Sequence, residues 1–209
     1  VRADREEEEM EEASGPAAAV QGGEVRWCAF EALARSFRVA ATERGACRLS
    51  LPGEDAGEFF RWLARRFPRA RLLEDPGAFA PLSSAVRAYL AGEARVLAVP
   101  LDPIGSPFQR AVWEEVRRIP FGTTVAYGEI ARRLGAPQAS RAVGAAVAAN
   151  PLPILLPTHR VVGSDGSIPG YGPAVPIKVE LLRLEGIAPR SRRRATPSGS
   201  PAGAEGVLP

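Results

Sequence analysis

The sequence contains one histidine, His159, one lysine, Lys178, and two cysteines, Cys28 and Cys47. Two thiols and one imidazole cannot complete a four-ligand zinc site without carboxylates, so no metal and no cofactor are expected. No apolar run approaches the ~20 residues needed to span a bilayer, which excludes a membrane span. The first residues are acidic rather than basic and then apolar, so no signal peptide is expected. With so little cysteine the chain reads as a reduced, cytoplasmic protein.

What is present is arginine. The net charge of +3 hides an asymmetry: residues 1–24 hold two arginines against eight acids, a net −6, and the remaining residues carry +9. A basic body is the electrostatic footprint of a phosphate-binding protein. At 209 residues and 45% hydrophobic content, the chain has room for one large domain or two small ones with a real core.

In chain order, residues 1–23, with the run Glu6 to Glu9, read as a disordered acidic leader. An α/β N-terminal domain is expected over 24–101. Alternation between Val25 and Leu51 predicts two or three short strands. Phe59, Trp62, Leu63 and Phe67 mark a helix over Glu54–Phe67. A second helix, Pro81–Leu90, has Ser83 or Ser84 as its cap, and Val96–Leu101 is strand-like. Cys28 and Cys47 are expected in the core.

A mostly helical domain is expected over 102–187. Ser106-Pro107 reads as a cap followed by proline at the first helical position. Phe108, Val112, Trp113, Val116 and Ile119 then form a buried face. Two short helices, Tyr127–Leu134 and about Gln138–Ala149, joined at Gly135 and Pro137, read as a helix-turn-helix. The second is rich in small residues, which serve either close packing against a neighbouring helix or close approach to a nucleic-acid groove. Ser164-Asp165-Gly166-Ser167 is a hairpin-turn signal that makes a small wing. A final helix runs from Pro176 to Glu185, and Gly186 stops it. Residues 188–209 read as a disordered basic tail able to add salt-sensitive DNA contact.

The stretch Asn150–Tyr171 holds the only histidine between Thr158 and Arg160, after an apolar run flanked by prolines. Asn-Pro-x-x-x-Leu-Leu-Pro-x-His-Arg-Val-Val, the preceding Ser-Arg-Ala-Val-Gly and the following Gly-Tyr, Lys, Leu-Leu and Glu-Gly resemble the O6-alkylguanine-DNA alkyltransferases. The resemblance is specific from about Ser106 to Gly186. It implies an α/β N-terminal domain, a winged helix-turn-helix that binds duplex DNA through the minor groove, and a target guanine turned out of the stack. Arg141 matches the finger that fills the vacated space, with Ala142 beside it on the same helix. Tyr127 matches the tyrosine that presses on the phosphate, and Arg160 is expected among the DNA contacts. Asn150 matches the hinge asparagine, Pro153, Val161 and Tyr171 the walls of the base pocket, and Lys178 its lysine. His159 and Glu185 match the base and its orienting carboxylate.

One departure dominates. Where the family has the cysteine that accepts the alkyl group, this chain has Thr158. A thiol ionises near 8.5 and is easily lowered by a neighbouring base. A threonine hydroxyl is a far weaker acid and carries a methyl beside the attacking atom. No alkyl transfer is therefore expected, and the chain is similar in this to the alkyltransferase-like proteins, which bind the lesion and pass it to nucleotide excision repair. A second departure is Gly172-Pro in place of Gly-Gly at the pocket rim. Two other readings stand beside this one: an alkyltransferase or dealkylase that uses Thr158, and a lesion-independent DNA-binding regulator. A cytoplasmic, nucleoid-associated monomer is expected.

Overall fold

The computed structural model describes residues 23–168 and 175–188. It is an α/β N-terminal part followed by a mostly helical part that contains a helix-turn-helix. Three strands open the chain: β1 (Glu24–Ala32), β2 (Arg35–Thr42) and β3 (Gly45–Leu49). The first pairs antiparallel with the second, and the second with the third. Helix α1 (Ala56–Arg66) then crosses over to β4 (Arg71–Glu74), which lies parallel to β1 at the edge, giving the order β3-β2-β1-β4. Asp55 caps α1 through the backbone N–H of Gly57.

Alternation along β1 and β2, and a bulge that leaves Cys47 out of register in β3, split the core in two. Val25, Ala40 and Cys47 face α1 and pack with Phe59, Leu63 and Phe67. Cys28, Phe30, Phe37, Val39 and Leu49 face the other way, toward α2 (Ala80–Leu90) and the helical part. That second cluster is continuous from the sheet to Val112, Trp113, Val143 and Leu181. The two halves of the chain share one core.

The helical part begins with α3 (Pro107–Arg117). Its N-terminus is a capping box: Ser106 Oγ accepts from the N–H of Gln109, and the Gln109 side chain accepts from the N–H of Ser106. Next come β5 (Val125–Ala126), α4 (Tyr127–Arg133) and α5 (Ser140–Ala148). Helices α4 and α5 form the helix-turn-helix, and Gly135 takes φ +73 at the turn, which a side chain would resist. Trp113 anchors α3 on α5 by donating its indole N–H to the Ala146 carbonyl at 2.8 Å. The chain then runs through an extended arm to a 3-10 turn (Thr158–Arg160), β6 (Val161–Val162) and α6 (Val175–Leu184). No helix among the described residues is long and apolar enough to cross a membrane.

Several expectations change. Val96–Leu101 does not form a strand; only Leu101 makes a bridge, to Ala46. The chain approaches β3 at a single point, where a Cβ on Gly45 would lie 2.5 Å from the Pro100 carbonyl, and Pro100 has no N–H with which to extend a ladder. Helix α2 starts at Ala80 with Phe79 as its cap residue, after a short 3-10 turn (Gly77–Phe79); Ser83 lies inside it and donates to the Ala80 carbonyl instead. Helix α5 starts at Ser140, two residues later than its apolar pattern suggests. The strand β4 went unforeseen, because Arg-Leu-Leu-Glu is too short to show alternation. Ser164–Ser167 is a turn, closed by the Gly163 N–H on the Ser167 carbonyl at 2.8 Å. The strand before it pairs in parallel with β5, and the residues that would form the second arm of the wing, from 169, lie outside the described residues. The acidic leader up to residue 22 and the tail from 189 lie outside the described residues.

Candidate functional site

The arm between α5 and the 3-10 turn is fixed largely by one side chain. Asn150, just past the end of α5, accepts from the Leu152 N–H through Oδ1 at 2.9 Å. Its Nδ2 donates to the Leu156 carbonyl and to Thr158 Oγ1, both at 3.2 Å. Pro153 bridges to Leu156, and the Leu156 N–H returns to the Leu152 carbonyl at 2.8 Å. Two backbone features show how tightly this loop is wound. Ile154 is held at φ +73, where a β-branched residue costs on the order of 1–3 kcal/mol. Pro157 (φ −78, ψ 58) makes an inverse γ-turn closed by Thr158 N–H on the Leu156 carbonyl at 2.7 Å. The result is a rigid presentation of Thr158, which is 1% exposed.

Behind Thr158 lies a buried polar network. Glu185 accepts from His159 Nε2 at 2.7 Å, Tyr89 OH at 2.6 Å and the Gly122 N–H at 2.9 Å. Arg160 grips the same carboxylate, with Nε 3.0 Å from each oxygen and an Nη at 2.8 Å from Oε1; its other Nη donates to the Ile119 carbonyl at 2.6 Å. Burial alone would push the Glu185 carboxyl up. The hydrogen bonds from His159, Arg160, Tyr89 and Gly122 override it and hold the group at about 2. Burial lowers His159, and Glu185 only partly offsets this, so the imidazole is neutral near pH 7. Because a carboxylate only accepts, Nε2 carries the ring proton, and Nδ1 keeps a free lone pair. That Nδ1 is buried and has no hydrogen-bond partner among the described residues.

This geometry corrects one assignment. Arg160, expected at the DNA surface, is 8% exposed, and its guanidinium is occupied by Glu185 and Ile119. It neutralises a buried carboxylate instead. Lys178 is fully buried; Nζ donates to the Val161 carbonyl at 2.6 Å, and burial lowers it to about 8. The Val161 side chain belongs to the core, and Pro153 is half-buried at the arm. Tyr171 lies outside the described residues. Cys28 and Cys47 are buried, and burial pushes their thiols up to about 11 and 12. Among the described residues no group of three or more His, Cys, Asp or Glu converges to hold a metal.

Tyr89 is the site residue that sequence reasoning missed. It comes from α2, far away in sequence, and its ring packs edge-on against Phe121, with centroids 6.3 Å apart. Its position in an apolar helical stripe gave no sign of the hydroxyl's destination.

The helix-turn-helix presents a second surface. Arg141 is exposed at the start of α5, and Ala145 and Ala148 are exposed one and two turns further along. Ala142 is half-buried, while Val143, Ala146 and Val147 face the core. The small residues thus serve both purposes: one face packs and the other is smooth and open. Tyr127 begins α4, half-buried, with its ring 3.9 Å from where a Cβ on Gly144 would sit.

Residues 107–187 match the profile of the family described as 6-O-methylguanine DNA methyltransferase, DNA binding domain. Over 150 residues the chain is 39% identical to the inducible methylated-DNA–protein-cysteine methyltransferase of Bacillus subtilis, covering 72% of this chain and 84% of that one. It is 47% identical over 117 residues to the methylated-DNA–protein-cysteine methyltransferase of Mycobacterium leprae, covering 56% and 71%. Among solved structures it is similar to the O6-methylguanine methyltransferase of Mycobacterium tuberculosis, with a TM-score of 0.67, 35% identity and coverage of 79% and 95%. It is similar also to Mycobacterium tuberculosis OGT in complex with DNA, with a TM-score of 0.66, 35% identity and coverage of 78% and 95%.

Proposed function

The chain belongs to the O6-methylguanine DNA methyltransferase family, and on that premise we propose that it binds O6-alkylguanine in duplex DNA without accepting the alkyl group. The observation that carries this reading is the state of Thr158. By resemblance it stands at the acceptor position, its Oγ1 receives a hydrogen bond from Asn150, and the next residue, His159, is hydrogen-bonded to Glu185. Alkyl transfer is displacement at a saturated carbon and favours a soft thiolate. A threonine hydroxyl next in sequence to a neutral imidazole stays protonated and hard. The recognition apparatus is retained while the nucleophile is replaced.

In this reading α5 enters the minor groove with its smooth face of Ala145 and Ala148. Arg141 fills the stack left by the extruded guanine, and Tyr127 bears on the adjacent phosphate. Pro153, Tyr171 and the arm carbonyls receive the base. The helical domain, about residues 102–187, carries this function, and the α/β domain over 24–101 supports it. The protein acts as a cytoplasmic, nucleoid-associated monomer that marks lesions for excision repair proteins.

The test is equilibrium binding, at fixed salt, to two matched duplexes, one with a single O6-methylguanine and one with guanine. Several-fold tighter binding to the lesion is expected, with Arg141→Ala abolishing the difference. Equal affinity for the two duplexes would overturn lesion recognition and leave a general DNA-binding protein.

The unpartnered Nδ1 of His159 gives specific support to a second reading, in which Thr158 is activated and the lesion is dealkylated. That reading requires the DNA, or the protein, to change mass on incubation with the lesion duplex. Thr158→Ala must then abolish the change.

A further inference from the structure

Between residues 95–101, the end of α3 and the arm lies a cleft of about 680 Å³, whose lining includes Tyr89, Pro157 and Arg160 of the network behind Thr158. Its rim carries Arg95, Arg117 and Arg118, all exposed, and among the described residues no carboxylate lines it. Glu114 and Glu115, the ion-pair partners of Arg117 and Arg118, are not part of its wall, and the exposed Arg117–Glu114 pair holds its cation only weakly. The guanidinium of Arg95 lies 5.6 Å over the Phe121 ring, which fixes one cation at the mouth. Along one side runs the segment 95–99, which belongs to no helix or strand and makes no backbone hydrogen bond to the described residues. Val96 on that segment is 77% exposed. A cationic groove beside backbone whose N–H and C=O groups are unpaired is complementary to an acidic extended peptide.

The same chain contains one. Residues 1–22 carry seven acids and two arginines, with six glutamates between Glu6 and Glu12. The described chain starts at β1, which is separated from Leu101 by β2 and β3 in one sheet, a distance of roughly 14 Å at strand spacing. The eleven residues from Glu12 to Gly23 span up to ~36 Å when extended, so the acidic run reaches the cleft. We infer that this cleft is the docking groove for the acidic segment Asp4–Glu12, paired along residues 95–99 and neutralised by Arg95, Arg117 and Arg118. The cleft includes no residue of α5 and excludes Tyr127, so the leader is seated behind the arm, against Ile154 and Leu155, rather than over the proposed DNA face.

The chain is well suited to the test. Cys28 and Cys47 are buried, so a thiol introduced by Ala13→Cys in the full-length protein is the only one open to a nitroxide label. At low salt, amide signals of residues 95–99, 101, 117–119 and 121 are expected to broaden several-fold more than the rest. The broadening should vanish at high salt and in the Arg95→Ala, Arg117→Ala, Arg118→Ala variant. Replacing Glu6 to Glu9 by glutamine should abolish it as well without touching the cleft, which separates loss of docking from loss of fold. No selective broadening, broadening centred on Arg141 and α5, or broadening indifferent to these substitutions would overturn the assignment. So would broadening that appears on an unlabelled copy mixed with a labelled one, since the occupant would then be a second molecule.

Discussion

Arg160 and Glu185 form a buried ion pair in which one guanidinium touches both carboxylate oxygens and the Ile119 carbonyl together. The pair joins the arm to the end of α6, so the loop carrying Thr158 and the last helix are one mechanical unit. Removing one partner of a buried pair leaves the other charged and unsolvated. Arg160→Met is therefore expected to cost about 3–5 kcal/mol, read as a drop in the urea midpoint. A loss below about 1 kcal/mol would mean that solvent reaches the carboxylate.

The same network makes stability fall in acid in two stages. His159 is held below its ordinary 6.5 when folded, so the unfolded chain takes up that proton first. Its contribution is complete above 6.5 and is lost as pH falls below that value. Glu185 is held at about 2 against an ordinary 4.5, worth on the order of 3 kcal/mol. That contribution is complete above 4.5 and disappears as pH falls toward 2. Urea midpoints measured from pH 8 to 3 are expected to fall in both windows, with Glu185→Gln flattening the lower one. A flat profile between 4.5 and 3 in the unmodified protein would contradict the assigned hydrogen bonds.

Asn150 satisfies three groups of the arm, two of them on the backbone. Asn150→Ala is expected to reduce stability by about 1–3 kcal/mol through unsatisfied buried groups. Under the proposed function it should also erase most of the preference for the lesion duplex, while affinity for unmodified duplex changes little, because the proposed DNA face on α5 does not include Asn150. Equal loss on both duplexes would show that the arm has no part in reading the base.

Thr158→Cys places a thiol next in sequence to His159, which is hydrogen-bonded to Glu185. The expected outcome is a gain in protein mass of one methyl group after incubation with O6-methylguanine duplex, abolished by adding His159→Ala. A folded cysteine variant that gains no mass would show that more than the acceptor atom has been changed.

Much of this architecture was legible in the sequence. Ser106-Pro107 declared the start of α3, and the apolar stripe of Phe59, Leu63 and Phe67 declared α1, because both signals are local. The strand status of Val96–Leu101 was not legible, since pairing depends on what lies alongside. One proline and one close approach at Gly45 keep that segment off the sheet. Arg160 misled for a related reason: an arginine after a histidine looks like a surface cation until Glu185, 25 residues on, is brought back against it. Tyr89 was hidden because its ring fits an apolar stripe while its hydroxyl serves a group 96 residues away.

The continuous apolar cluster from Cys28 to Leu181 decides how the chain can be dissected. A fragment beginning near Ser106 would keep the motifs of the helical half. It would also lose the Tyr89 hydroxyl from Glu185, the edge-on ring from Phe121, and the sheet face that covers the helices. The N-terminal half is thus the back wall of the site, and a minimal DNA-binding module cut from this protein would need that wall rebuilt with new apolar surface.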